Sequence, residues 1–246
     1  MARYDFDAQR LFVEADLAEA ASVACSSGQA NYLKNVLRLK PGDGILVFNG
    51  RDGEWRAEVA DAGKRDTSLL VRAQVRPQEG GPDIDYLFAP LKRARLDYLV
   101  QKATEMGVAR LRPVLTRRTT PERVNVERMR ANAIEAAEQC GILRIPEVIA
   151  PEKLESVLAG WDPTRRLVFC DEGSAERGPF ITLAGLPPGP LALLIGPEGG
   201  FDEVERTGLL AKPFVTPISL GPRILRADTA AVAALALVNA VLGDWR

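Results

Sequence analysis

Two rhythms divide the chain. Up to residue 76 the apolar residues come in short runs: Leu11-Phe12-Val13, Ile45 to Phe48, the alternating Trp55, Ala57 and Val59, and Ser68 to Val75. Runs of this length, bounded by turn residues, read as strands. Asn49-Gly50 between two of them is a tight-turn signal. One helix interrupts them. Ser26 stands three residues before Gln29, the spacing of a capping box, and Tyr32, Leu33, Val36 and Leu37 then share one helical face. Pro41-Gly42-Asp43-Gly44 ends it. Several short strands with turns between them predict a small barrel.

After Pro77-Gln78-Glu79-Gly80-Gly81-Pro82, a linker by composition, the rhythm changes. Ile84–Ala89, Arg110–Leu115, Leu167–Cys170, Leu191–Ile195 and Phe214–Ser219 read as strands. Arg93–Met106 closed by Gly107, Val126–Gln139, Phe201–Leu210 and Thr229–Gly243 read as helices. This alternation predicts an α/β domain with a mostly parallel sheet covered on both faces. The expected division is a β-rich domain over residues 1–76 and an α/β domain over 83–246. From Ala230 to Val238 the last helix is apolar all round, so it needs cover on more than one side.

Composition narrows the chemistry. With 46% hydrophobic and 26% charged residues, the chain fits a soluble globular protein. Its longest apolar run, Thr229 to Leu242, is shorter than the roughly 18 residues a membrane span needs. No apolar stretch follows the charged N-terminus, so no signal peptide is expected and the chain reads as cytoplasmic. Cys25, Cys140 and Cys170 are far apart and odd in number, which disfavours a disulfide framework. There is no histidine. That excludes Ser-His-Asp hydrolases and His-based metal enzymes, and no metal is expected. Net charge is −1, yet the stretch from Ala89 to Arg130 holds 11 cations against 4 anions. Such a stretch, opening with Lys92, Arg93 and Arg95, suits a phosphate backbone and equally suits solvated helix faces.

Two loops carry the candidate chemistry. Ile195-Gly196-Pro197-Glu198-Gly199-Gly200-Phe201 follows a buried strand and opens a helix, whose free N–H groups favour an acceptor. It lacks the Gly-Lys-Ser/Thr of a phosphate-binding loop and the dinucleotide G-x-G-x-x-G spacing. Ser219-Leu220-Gly221-Pro222-Arg223-Ile224-Leu225-Arg226-Ala227-Asp228-Thr229-Ala230 places two arginines, a carboxylate and a hydroxyl just before the last helix. Asp228 or Thr229 could serve there as a helix cap, which leaves Arg223 and Arg226 unexplained.

Together these loops resemble the paired C-terminal signatures of the SPOUT methyltransferases, specifically of the family that methylates N3 of one uridine in 16S ribosomal RNA. Val36-Leu37-Arg38 with Gly42-Asp43, Gln101-Lys102-Ala103-Thr104-Glu105-Met106-Gly107-Val108 and Glu135-Ala136-Ala137-Glu138-Gln139-Cys140-Gly141 match further family blocks in order. The family usually has Glu at the position of Asp228, so a role that depends on reach is in question. The resemblance implies a trefoil-knotted α/β domain, a PUA-like RNA-binding barrel ahead of it, a homodimer with its site near the interface, and S-adenosylmethionine as cofactor. It implies a cofactor held at the strand ends Cys170, Leu194, Ile195 and Ile218 and in the loops at Gly196, Gly200, Leu220, Gly221, Ile224 and Leu225. It implies RNA contacts at Arg38, Lys92, Arg93 and Arg95, and 16S rRNA of the small ribosomal subunit as partner.

Methylating uracil N3 requires loss of its proton and access to its Watson–Crick edge. Without histidine, the candidates are Asp228 and Glu198 as base, and Arg226 and Arg223 as stabilisers of the uracil anion, with Asp228 expected to orient Arg226. A SPOUT enzyme acting on tRNA or a ribose 2′-hydroxyl, and a non-catalytic assembly factor that binds RNA, remain alternatives.

Overall fold

The computed structural model describes residues 8–62, 67–119, 124–174 and 178–245. The N-terminal heptapeptide, and Glu122 and Arg123 of the basic stretch, lie outside the described residues. These residues form two compact units: Met1–Gly80 with Ala137–Ile145, and Gly81–Ala136 with Pro146–Arg246. No helix among them is long and apolar enough to cross a membrane.

The first unit is built on five strands: β1 (Arg10–Phe12), β2 (Ser22–Ala24), β3 (Gly44–Phe48), β4 (Glu54–Ala62) and β5 (Thr67–Arg76). They lie in the order β1-β3-β4-β5-β2, with only the β1–β3 pair parallel. The expected barrel is an open, curled half-barrel. Alternation decides which side is dry: Val47, Ala57, Val59, Leu69 and Val71 point into one core with Leu11, Val13 and Leu33. β2 escapes sequence reading because it is three residues long with only Val23 buried.

The helix begins as expected. Both halves of the Ser26–Gln29 capping box form at the start of α1 (Ser27–Asn31). The chain then widens over Tyr32–Val36 into i→i+5 bonding, with the Leu37 N–H donating to the Tyr32 carbonyl at 2.9 Å. The extra residue per turn rotates the apolar face, so Leu33 is buried while Val36 is 61% exposed. Arg38, just beyond, is exposed and held at φ +58°, a left-handed conformation unusual for a side chain of this type.

One buried carboxylate ties this unit together. Glu54 receives Arg10 Nε from β1 and Arg76 Nε from β5, each at 2.8 Å, and Arg76 Nη2 also donates to the Gly141 carbonyl at 2.8 Å. On the same side Phe48 packs with Ala137 and Leu143, and meets Phe12 edge-on at 5.7 Å. The last turn of α3 (Val126–Cys140) therefore serves the first unit.

The second unit is a parallel sheet: β6 (Ile84–Phe88), β7 (Arg110–Leu115), β8 (Glu147–Val148), β9 (Glu152–Lys153), β10 (Arg166–Cys170), β11 (Leu191–Ile195) and β12 (Val215–Ile218). The order is β12-β10-β11-β6-β7-β8, with β9 on β7. All five residues of β11 are buried, because both faces are covered. Ala192 and Leu194 face a core with Leu87, Leu167 and Phe169, closed by α4 (Leu154–Ala159) and α6 (Glu203–Leu210). On the opposite face α7 (Ala227–Val241) packs on β11, on α2 (Arg93–Glu105) and on α5 (Pro179–Ala184). Asn239, fully buried in α7, donates to the Met106 carbonyl at 2.8 Å and so pins the end of α2. The sequence left α4, α5, β8 and β9 unassigned because two to six residues cannot display a period.

Removing the Glu54 carboxylate takes a buried ion-pair partner from each of two arginines, Arg10 and Arg76. Glu54→Ala should lower the unfolding free energy of this unit by about 3–5 kcal/mol, read by denaturant titration. A loss below about 1 kcal/mol would show that the strands are held elsewhere.

Candidate functional site

A cavity of about 760 Å³ opens at the carboxyl ends of β10 and β11 and beside the loop after β12. This is the edge at which parallel sheets present ligand groups. Cys170 and Glu172 line it from β10, Ile195 to Phe201 from the glycine loop, and Leu220 to Ala227 in part from the loop before α7, with Arg95 contributed by α2.

The glycine loop is shaped by the core beneath it. A Cβ on Gly196 would lie 2.9–3.0 Å from atoms of the Phe201 ring. That ring is almost fully buried and meets Phe169 edge-on at 5.0 Å, so it cannot yield. The loop then turns back, with the Gly200 N–H donating to the Pro197 carbonyl at 2.9 Å and Gly200 at φ +68°. Arg118 Nη1 clamps the Gly199 carbonyl at 2.9 Å. The sequence predicts free N–H groups at the helix that follows. The structure differs: α6 starts at Glu203, and the Asp202 carboxylate already takes the N–H groups of Val204 and Glu205, at 2.9 and 3.4 Å. Arg117 neutralises that carboxylate at 3.0 Å, so the helix start is closed to an outside acceptor.

The second loop also departs from expectation. α7 begins at Ala227, with Arg226 in the capping position and no side-chain cap. Asp228 thus lies in the first turn, where its Oδ1 accepts the Thr229 N–H at 2.8 Å. Its main partner is Arg95, through Nε at 2.9 Å and Nη2 at 3.1 Å. Those bonds hold the Asp228 carboxyl below the usual carboxylate range, against the opposing effect of partial burial. Arg95 Nη1 also pairs with Glu198 of the glycine loop. The expected pairing of Asp228 with Arg226 is absent. Among the described residues neither Arg226 nor Arg223 makes a side-chain hydrogen bond or ion pair, and both are exposed on the cavity rim with Ile224, which is 96% exposed.

The remaining candidates sort by burial. Burial pushes the Cys170 thiol up to about 12, so it is a neutral thiol rather than a nucleophile. Ile195, Gly196, Gly200, Leu220, Gly221, Ile224 and Leu225 line the cavity. Leu194 points into the core, Ile218 is fully buried, and the Ile218 carbonyl accepts the Asp171 N–H at 2.9 Å.

The basic stretch is largely spent within the fold. Arg110 and Arg112 pair with Asp85, Arg128 with Asp97 and Lys102 with Glu105. Lys92 and Arg93 stay exposed, with no side-chain hydrogen bond or ion pair among the described residues. Arg38 lies in the first unit. No group of three or more His, Cys, Asp or Glu among the described residues is placed to hold a metal.

Two residues near the cavity carried no sequence signal. Glu172 sits just past β10, exposed on the cavity wall. Tyr86 reads as a strand core residue, and its ring is indeed fully buried on β6, yet its hydroxyl has no hydrogen-bond partner among the described residues. Burial first, then the nearby Cys170 and Asp228, raise its ionisation well above the ordinary tyrosine value, so it stays a neutral phenol under the site.

Comparison with known proteins agrees with this architecture. Residues 79–239 match the RNA methyltransferase domain family, and residues 27–69 match the RNA methyltransferase PUA domain family. The chain is 31% identical to ribosomal RNA small subunit methyltransferase E of Rickettsia conorii, covering 94% of each. It is 35% identical to the Synechocystis protein of the same name, over 96% of this chain and 78% of that one. A Legionella pneumophila methyltransferase structure, described with its bound cofactor SAM, superposes with a TM-score of 0.85 at 26% identity, covering 96% of this chain and 99% of that one. Both the cavity-bearing parallel sheet and the curled sheet ahead of it are thus shared with these proteins, and the chain belongs to the RNA methyltransferase family that includes ribosomal RNA small subunit methyltransferase E.

Proposed function

We propose that this protein methylates N3 of one uridine in the 16S rRNA of the small ribosomal subunit, with S-adenosylmethionine as methyl donor. The observation that carries the reading is a cavity at the carboxyl edge of the sheet whose rim holds two arginines, Arg223 and Arg226, whose side chains have no partner among the described residues. Relatives named for small-subunit rRNA methylation span almost the whole chain. A volume of about 760 Å³ suits a cofactor of that size. Gly196 is held close over the Phe201 ring and Gly200 turns the chain at φ +68°, so the loop main chain lines the cavity where the cofactor would lie. When bound, the cofactor supplies an electrophilic methyl group on a sulfonium.

The side chains of the site set how the uracil is prepared. An effective base has a pKa near the working pH. Asp228 does not meet this condition, because Arg95 occupies both of its oxygens and keeps it ionised. Glu198 is tied to the same guanidinium. Arg226 and Arg223 instead lower the cost of the uracil anion by Coulomb attraction, while the N3 proton leaves to water at the open rim. The glycine loop and Arg226 hold the ring in line for transfer.

In this reading residues 1–76 form the RNA-binding domain and residues 83–246 the methyltransferase domain, whose C-terminal segment is threaded as a trefoil knot. Lys92, Arg93 and Arg38 contact RNA phosphates, and the target base enters unpaired or flipped. No resident metal takes part, and the enzyme works in the cytoplasm. It acts as a homodimer through α7. Val232, Ala233, Ala236 and Leu237 form a half-covered apolar stripe on that helix, continued by exposed Ala240. Phe180 and Ile181 on the adjoining α5 are each more than 60% exposed.

Mass spectrometry of 16S rRNA from cells with and without the protein tests the assignment. N3-methyluridine should disappear from one position in its absence. Loss of a tRNA or 2′-O-methyl mark instead, or of none, would replace it by one of the alternative readings. Arg226→Ala should slow single turnover on ribosomal subunits by about 10²–10³-fold, and Asp228→Asn by less. Near-normal rates in Arg226→Ala would remove that residue from the mechanism. Reversing Lys92 and Arg93 to Glu should make the salt dependence of RNA binding shallower by about one to two phosphate contacts. An unchanged slope would mark them as merely solvated. Light scattering should show a dimer at micromolar concentration and a monomer for Leu237→Glu, and a monomeric wild type would exclude the α7 interface.

A further inference from the structure

Arg95 occupies a place where a lone cation is unfavourable. It lies in the first turn of α2, where unpaired N–H groups already create positive potential, and that turn has no acidic residue. Its side chain is only 27% exposed. The guanidinium donates to Asp228 through two N–H groups, the planar two-point geometry that arginine alone provides, and its Nη1 forms an ion pair with Glu198. Asp228 belongs to the start of α7, and Glu198 to the glycine loop after β11. Three segments remote in sequence therefore converge on one side chain. Without it, the Asp228 and Glu198 carboxylates would lie on either side of an empty place with no cation between them, and like charges repel.

We infer that Arg95 is a positioning residue for methyl transfer: through Asp228 and Glu198 it holds the glycine loop and the start of α7 at the separation that forms the cofactor cavity. The inference rests on the reading of that cavity as the S-adenosylmethionine site. It gives Asp228 a role of its own, as the anchor that Arg95 grips rather than a proton acceptor. It also separates Arg95 from its sequence neighbours Lys92 and Arg93, which remain outside the cavity lining. Lysine can match the charge of Arg95 but not its two-point geometry.

Calorimetric titration of the full chain with S-adenosylmethionine tests this. Arg95→Met should weaken binding by about tenfold or more, the equivalent of about 1.4 kcal/mol. Arg95→Lys should recover only part of the loss. Combining Arg95→Met with Asp228→Asn should cost little beyond Arg95→Met alone, since both remove the same contact. Added guanidinium should restore part of the affinity of Arg95→Ala, a rescue that a purely structural defect would not show. Wild-type affinity in Arg95→Lys and Arg95→Met, or full additivity with Asp228→Asn, overturns the inference while leaving the cavity reading intact. No binding by the wild type overturns the cavity reading and this inference with it.

Discussion

The ring of Phe201 lies where a side chain on Gly196 would be. β11 ends there, its five residues buried and its Ile195 carbonyl already taken by the Ala89 N–H at 3.2 Å. A ring packed against Phe169 forces the chain to reverse tightly over it, and only glycine permits the approach. The reversal sets Pro197, Glu198 and Gly199 over the end of the sheet rather than away from it. The cavity is therefore a product of core packing. Its floor is hydrophobic core, and its walls are whatever the loops carry.

Charge in those walls is arranged without histidine. The carboxylates that could serve as bases, Asp228 and Glu198, share one guanidinium, and the thiol that could serve as a nucleophile is kept neutral by burial. Arginines at 223 and 226 are left without partners among the described residues. Under the proposed function, such a site changes the acidity of a bound group by field rather than by accepting its proton. The neutral hydroxyl of Tyr86, buried below and without a hydrogen-bond partner among the described residues, is a further polar group that the surrounding core holds in place.

Some of this was legible in the chain. Leu191–Ile195 reads as a buried strand because both of its faces are covered, and covered strands lose their alternation. The capping box at Ser26 forms as written, since both partners are local. The helix after it fails at Val36, where the i→i+5 bond between Leu37 and Tyr32 widens the turn in a way no period encodes. The two loops stood out by their glycines and arginines, and they do meet in one cavity. Glu172 and Tyr86 did not stand out, because an acidic residue after a strand and an aromatic within one are ordinary features of any α/β chain.

The sequence by itself determined the two rhythms, the absence of histidine and the pair of glycine-bearing loops, all of which depend on residues close together in the chain. Only the tertiary structure decided which charges meet. Arg95 and Asp228 are separated by 133 residues, and nothing local distinguishes Arg95 from Lys92 or Arg93. The packing of α7 on α2 and β11 brings the start of α7 to the first turn of α2, and that contact selects one cation of three for the cavity. Ion pairs fall off with distance and with water, so their partners are chosen by where the sheet and helices place them, not by the pattern of the residues that carry them.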